Sequence, residues 1–308
     1  MGANLARRLL QDGVDVACLV RPGHDRWRID EIRADVAWHE AELADLDDVT
    51  AVVRRVRPDW VFHLAVYGAY SWQTDVDTML RTNVMGTLAL VRACVAADGP
   101  VLVNTGSSSE YGLKDHPPAE TEWIDPNSDY ACTKAAATQL CRHWALRHAR
   151  RFVTLRLYTA YGPWEDPGRL LPTLVVRGLR GELPPLTRPD TSRDWVYADD
   201  VSDAYVRAAT AAAVPAGAVY NIGSGVQTSL REVVTVARRI LGVTAEPRWG
   251  EMRDRVWDTS VWVANPRAAR DALGWQARTS FAEGFERTVD WFRQRPGTTA
   301  LYQARHTG

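Results

Sequence analysis

The run Val101-Leu102-Val103-Asn104-Thr105-Gly106-Ser107-Ser108-Ser109-Glu110-Tyr111-Gly112 decides how this chain is read. Its first four residues form a short apolar strand, and a cluster of hydroxyls follows directly. Open α/β sheets place their ligands at the carboxyl ends of parallel strands, so these hydroxyls are candidates for a site. The same cluster also fits a solvated loop whose hydroxyls cap backbone groups. Further on, Tyr130-Ala131-Cys132-Thr133-Lys134 stands at the start of a helix expected over 131–150. A Tyr and a Lys at this spacing share a helix face, and an ammonium beside a phenol lowers the phenol pKa from about 10. A tyrosine tuned in this way moves a proton at a carbinol or carbonyl while hydride passes to or from a nicotinamide. Taken alone the spacing more often marks a solvated helix face; the hydroxyl cluster upstream gives it weight.

Outward from this point, short apolar strands alternate with helices. Strands are expected at 14–20, 36–39, 60–65, 101–104 and 151–157, and helices at 3–12, 46–56, 78–97 and 131–150. Such alternation indicates an α/β fold with a Rossmann-like, doubly wound parallel sheet. After about residue 163 the segments shorten, Pro and Gly become frequent, and helices are expected at 197–212, 229–241 and 279–294. The expected division is a nucleotide-binding domain over 1–163, with returns from the later chain, and a smaller lobe over 164–308. A sheet of this kind opens with a strand and a Gly-rich turn, whereas this chain opens at a helix. Met1-Gly2-Ala3-Asn4-Leu5 reads as the tail of that turn, with Gly2 as its third glycine and the first strand missing.

Composition narrows the function classes. With 37 Lys+Arg against 38 Asp+Glu the net charge is −1, so no bulk charge recruits nucleic acid or an anionic membrane. No apolar run reaches the roughly 18–20 residues of a spanning helix. The N-terminus lacks the pattern of a signal peptide. Cys18, Cys94, Cys132 and Cys141 lie scattered without a CxxC pair, which reads as reduced thiols in a cytoplasmic protein, with no metal site. Most of the 13 Trp are expected to pack, and some to line a pocket.

Several ordered motifs resemble the extended short-chain dehydrogenases/reductases, specifically the nucleotide-sugar epimerase/dehydratase/reductase group. His63-Leu64-Ala65-Val66 is similar to that group's H-L-A-A, and Asn83-Val84-Met85-Gly86-Thr87 to its N-V-x-G-T. Ser107 to Gly112 fits S-S-x-x-Y-G, and Leu155 to Pro163 fits L-R-x-x-N-x-Y-G-P. Arg193 to Val201 fits R-D-x-x-x-V-D-D-V, and Tyr220 to Gly225 fits Y-N-I-G-S-G. The resemblance covers nearly the whole chain.

The resemblance implies a catalytic set of Ser107, Tyr130 and Lys134. Tyr130 would be the acid/base and Ser107 would hydrogen-bond the reacting oxygen. Lys134 would bind the nicotinamide ribose and lower the Tyr130 pKa. It further implies cofactor contacts from Gly2, Arg21, Glu42, Leu43, Leu64, Ala65, Asn83 and Tyr158. Substrate contacts would come from Ser108, Ser109, Thr159, Arg193 and Arg255, the two arginines holding the diphosphate of a nucleotide sugar in the smaller lobe. A homodimer paired through the helices near 80–97 and 131–148 is also implied.

Departures from the pattern refine this. The 4,6-dehydratases carry Asp-Glu after their catalytic Thr; here Ser108 and Ser109 stand there, so elimination of water is not expected. Thr159 replaces the group's Asn. Arg21 ends the second strand where NAD-selective members carry an acid, and with Arg26 and Arg28 nearby it points to NADP, with NAD as the alternative. The leading expectation is an oxidoreductase acting at C4 of a nucleotide-linked hexose. A ketoreductase consuming NADPH and an epimerase retaining its cofactor both fit, and Arg21 favours the first. A reductase of a non-sugar carbonyl is a further option, opposed by the arginines. So is an inactive or truncated family member, whose missing strand would leave sheet edges exposed.

Overall fold

The computed structural model describes residues 1–97, 99–252 and 259–306. Helix α1 (Gly2–Gln11) leads into β1 (Val16–Val20) and β2 (Val36–Glu40), then α2 (Leu46–Val56) and β3 (Trp60–His63). One helical run follows, made of α3 (Val76–Met79), a π-helical turn (Leu80–Met85) and α4 (Gly86–Ala96). Next come β4 (Val101–Ser107), α5 (Asp129–His148), β5 (Phe152–Leu157), β6 (Thr159–Tyr161) and α6 (Leu170–Gly178). The chain continues through β7 (Ser192–Tyr197), α7 (Ala198–Thr210), β8 (Val219–Ile222), β9 (Gln227–Ser229) and α8 (Leu230–Leu241). It closes with α9 (Arg267–Leu273), α10 (Phe281–Arg293) and α11 (Pro296–His306).

Local chemistry sets the boundaries. The Asp45 carboxylate caps α2 by accepting from the N–H groups of Asp47 and Asp48, and Ser128 caps α5 at Ala131. Helix α5 stops where Ala149 turns left-handed at φ 49°. The helix expected over 78–97 is interrupted by its π turn. Just beyond it the Thr87 hydroxyl donates to the Asn83 carbonyl at 2.6 Å and meets His63 Nε2 at 2.9 Å. Strand β4 runs on through Ser107, beyond the expected 101–104, because the hydroxyl cluster starts while the backbone is still paired with β5.

The fold is Rossmann-like. β3-β4-β5-β8 form an all-parallel central sheet, and β1-β2 form a separate parallel pair. Among the described residues β1 and β3 therefore each keep one edge without a strand partner, and β1 side chains remain half-exposed or exposed. Helices cover both faces. Leu5 and Leu9 of α1 join Val201, Ala204 and Tyr205 of α7 in one core. Val49, Val91, Cys94 and Cys141 pack on Leu102 and Phe152 in another. A third core, around Leu174, Val233 and Phe285, lies against the small sheet β6-β7-β9. From the later chain, α7, β8 and α9 return to the first core. Among the described residues no helix is long and apolar enough to cross a membrane, and the four thiols are free.

Leu102 is fully buried between β3 and β5. Leu102→Ala is expected to cost about 2–5 kcal/mol through lost burial and a residual cavity, read as a lowered urea midpoint.

Candidate active site

The site is assembled at the carboxyl end of the central sheet. Ser107 is the last residue of β4, opposite Leu157 of β5, and its backbone N–H donates to Glu110 Oε1 at 2.8 Å. The Ser107 hydroxyl accepts the Ser109 N–H at 3.2 Å, so the two residues form a reciprocal cap that fixes the turn. Glu110 is buried completely. Its carboxylate also accepts from Thr138 Oγ1 of α5 at 2.9 Å and from Arg156 Nε of β5 at 2.8 Å. Arg156 reaches on to the Tyr111 hydroxyl at 2.8 Å, which donates to Asn221 Oδ1 of β8 at 2.8 Å. Gly106 is required by this packing, since a Cβ would stand 2.7 Å from Glu110 Oε1 and 2.8 Å from Thr154 Cγ2. The sequence reading did not single out Glu110; the available signal was Ser107 followed three residues on by Glu, a capping-box spacing.

Tyr130 and Lys134 project from the first turns of α5, and the Tyr130 hydroxyl hydrogen-bonds the Ser107 side chain. The expected electrostatics differ in one respect. Burial holds the Tyr130 phenol above its ordinary pKa; the Ser107 hydrogen bond and Arg169 pull it down, and Glu110 and Tyr70 oppose them. Lys134 itself is buried, and desolvation lowers its own pKa against the attraction of Glu110. Its charge registers on His63, whose pKa burial and Lys134 together push down to about 3.

The remaining expected residues divide. Ser108 is buried and, with Tyr111, His116, Tyr158 and Trp262, lines a cleft beside Ser107. Ser109 is half-buried within the cap, and Thr159 begins β6 opposite Trp195. Arg193 is half-buried with its guanidinium 5.4 Å from the Trp262 ring, next to the same cleft. Arg255 lies outside the described residues. Asn83 is committed to protein: its amide nitrogen donates to Tyr67 O at 2.8 Å and Thr133 Oγ1 at 2.9 Å, while its oxygen accepts from Tyr67 N. Both amide hydrogens are thus used in holding a loop to α5.

At the other end of the sheet's carboxyl edge, Gly2 is exposed with nothing within 4 Å of a built Cβ, and Arg21 and Glu42 are exposed. Leu43 packs over Gly86; Leu64 follows β3 half-buried and Ala65 is exposed. Neither arginine expected to assist Arg21 is free to do so. Arg26 pairs with Glu40 at 2.8 Å, and Arg28 with Asp166 at 3.0 Å and the Trp164 carbonyl at 2.9 Å.

Fold and site define an α/β oxidoreductase-type nucleotide site. The model of the NAD dependent epimerase/dehydratase family matches residues 1–223, and the chain belongs to that family. UDP-glucose 4-epimerase of Mycolicibacterium smegmatis is 30% identical over 310 residues, covering 96% of either chain. The solved structure of MoeE5 in complex with UDP-glucose and NAD is 30% identical, covers 96% of each chain and superposes with a TM-score of 0.82. The dTDP-glucose 4,6-dehydratase 1 of Escherichia coli is 27% identical over 296 residues, covering 85% of this chain and 81% of that one.

Glu110→Ala leaves Arg156 buried without its carboxylate and is expected to cost about 3–5 kcal/mol in urea unfolding, with Glu110→Gln milder because it keeps an acceptor. His63 binds a proton in the unfolded chain below about pH 6.5 but in the folded chain only near pH 3. Between those values the unfolded state holds more protons, so stability falls as pH drops, by up to about 1.4 kcal/mol per pH unit. His63→Asn is expected to flatten that slope in urea midpoints measured from pH 7 to pH 4.

Proposed function

We propose that the chain is an NAD(P)-dependent enzyme that inverts the C4 hydroxyl of a nucleotide-linked hexose. The observation that carries this reading is the Ser107–Tyr130 hydroxyl pair at the end of β4, beside the buried Lys134. Ser108 and Ser109 follow it where elimination of water would need carboxylates. Glu110 cannot stand in for them, because it is buried and held by Arg156. The likeness to UDP-glucose 4-epimerase over nearly the whole chain supports the same choice.

In this reading Tyr130 takes the proton from the C4 oxygen on oxidation and returns it on reduction. Ser107 hydrogen-bonds that oxygen and keeps it within reach of the phenol. The cofactor supplies the hydride acceptor and donor. The residues present fit such a group: Lys134 carries an ammonium suited to ribose hydroxyls, and no side chain stands over Gly2 in the first turn of α1, where backbone N–H groups suit a pyrophosphate. Arg193 serves the substrate diphosphate from beside Trp262, with Arg255 as its expected partner. Leu80, Met85 and Leu146 are exposed on the helical run of α3–α4 and on α5, which supports a homodimer through those helices. A cytoplasmic setting agrees with the free thiols.

A second reading, a ketoreductase using NADPH, is favoured by two observations. Arg21 is exposed at the end of β1, open to a 2′-phosphate, and a phenol held protonated is ready to donate to a ketone. The test is to incubate the protein with UDP-glucose and follow UDP-galactose by chromatography, with nicotinamide absorbance recorded in parallel. Epimerisation without net change in absorbance is expected. Consumption of NADPH with a 4-keto-6-deoxy sugar nucleotide, and no epimer, would place the second reading first. Under either reading Tyr130→Phe is expected to reduce kcat by about 10²–10⁴.

A further inference from the structure

Tyr70 and Trp72 follow β3 and stack on one another, with ring centroids 4.8 Å apart and planes within 4°. Neither ring belongs to any of the three apolar cores, and Trp72 keeps 57% of its surface exposed. The indole does not float free. It lies against Gly168, where a Cβ would come within 3.1 Å of Trp72 Cη2, so two loops meet at this ring pair: the one after β3 and the one after β6.

Hydrogen bonds fix the first loop beside the proposed reaction centre. Asn83 Nδ2 joins the Tyr67 carbonyl to Thr133 Oγ1, and that hydroxyl donates to the Tyr130 carbonyl at 2.8 Å. Within the loop, Gly68 N–H donates to Gln73 Oε1 at 3.0 Å. The Tyr130 phenol feels the charge of Tyr70, and both feel Arg169, so the stack lies near the acid/base. An aromatic pair with one ring half-buried and the other mostly exposed, near a polar site, is a surface for something with an apolar face. A hexose has such a face in its ring C–H bonds, whereas its hydroxyls lie at the rim. Glycine at 168 is what lets the indole lie against that second loop.

We infer that the Tyr70–Trp72 stack is the wall on which the hexose ring of the substrate rests, so that it selects for the sugar and not for the nucleotide. This rests on the nucleotide-sugar reading above. The pair acts on binding and orientation; neither ring takes part in proton or hydride movement.

The test is calorimetric titration of the NAD-loaded protein with UDP-glucose and, separately, with UDP, for the unsubstituted chain, Trp72→Ala and Trp72→Phe. UDP-glucose is expected to bind about tenfold more weakly to Trp72→Ala, a loss of about 1.4 kcal/mol. UDP affinity should not change, and Trp72→Phe should recover most of the loss. Because Trp72 is mostly exposed, both variants should keep the thermal midpoint of the unsubstituted chain, which separates a lost contact from a lost fold. Equal weakening of UDP and UDP-glucose, no weakening of either, or reduced NAD affinity would overturn the assignment. Failure of the unsubstituted chain to bind UDP-glucose and UDP would instead overturn the nucleotide-sugar reading, and this inference with it.

Discussion

The buried Glu110–Arg156 ion pair is the constraint on which the site depends. A carboxylate with no solvent exposure is tolerated only if its charge and lone pairs are met, and here they are met from three elements. Arg156 comes from β5, Thr138 from α5, and the Ser107 N–H from β4. Each partner is therefore held in register with the others. Asn221 extends the hold to β8 and to the loop at 118–120, accepting from Tyr111 and donating to the Pro118 carbonyl at 2.9 Å. Ser107 meets Tyr130 because the two elements that carry them are tied to one carboxylate behind the site.

Most of the fold was legible in residue pattern. Short apolar runs separated by helical periodicity located β1 to β5 and the helices between them, most plainly at β4 and β5, which are buried on both faces. Ser107, Tyr130 and Lys134 were picked out by a hydroxyl cluster after a strand, by a Tyr–Lys spacing on one helix face and by the resemblance to the family. What stayed hidden depends on tertiary partners. Glu110 in a serine-rich stretch looks like a solvated acid until Arg156 is seen beside it. Asn83 looks like a ligand contact until its amide is found bound to Tyr67 and Thr133. Arg28 looks like an anion receptor until Asp166, far along the chain, is found to hold it. The Tyr130 shift was read with the wrong sign because spacing shows the ammonium but not the burial that outweighs it.

The parallel strands are divided between two sheets, yet the molecule is joined across the division by side chains. Val14 and Val16 pack on the same core as Trp60, Phe62 and Leu64. Helix α1 lies on α7, and Asn4 Nδ2 donates to the Pro163 carbonyl at 2.9 Å. On the opposite face α2 packs against α4 through Val49, Val53, Leu90 and Val91. Apolar packing is non-directional, so it can hold β1-β2 in place where no ladder of backbone hydrogen bonds connects them to β3.

The charge left over at the site decides what it can hold. Arg156 neutralises Glu110, and Ser108 and Ser109 add no charge. Arg169 pairs with Glu165 at 2.9 Å, a carboxyl that burial pushes up to about 7. Lys134 is thus a buried cation, and the carboxylate that attracts it most, Glu110, is already held by a guanidinium. Desolvation penalises such a charge unless a ligand supplies hydroxyls or negative charge to it. A ribose with a pyrophosphate beyond it offers both. The same burial that raises the Tyr130 phenol therefore favours a bound dinucleotide of the kind the family uses.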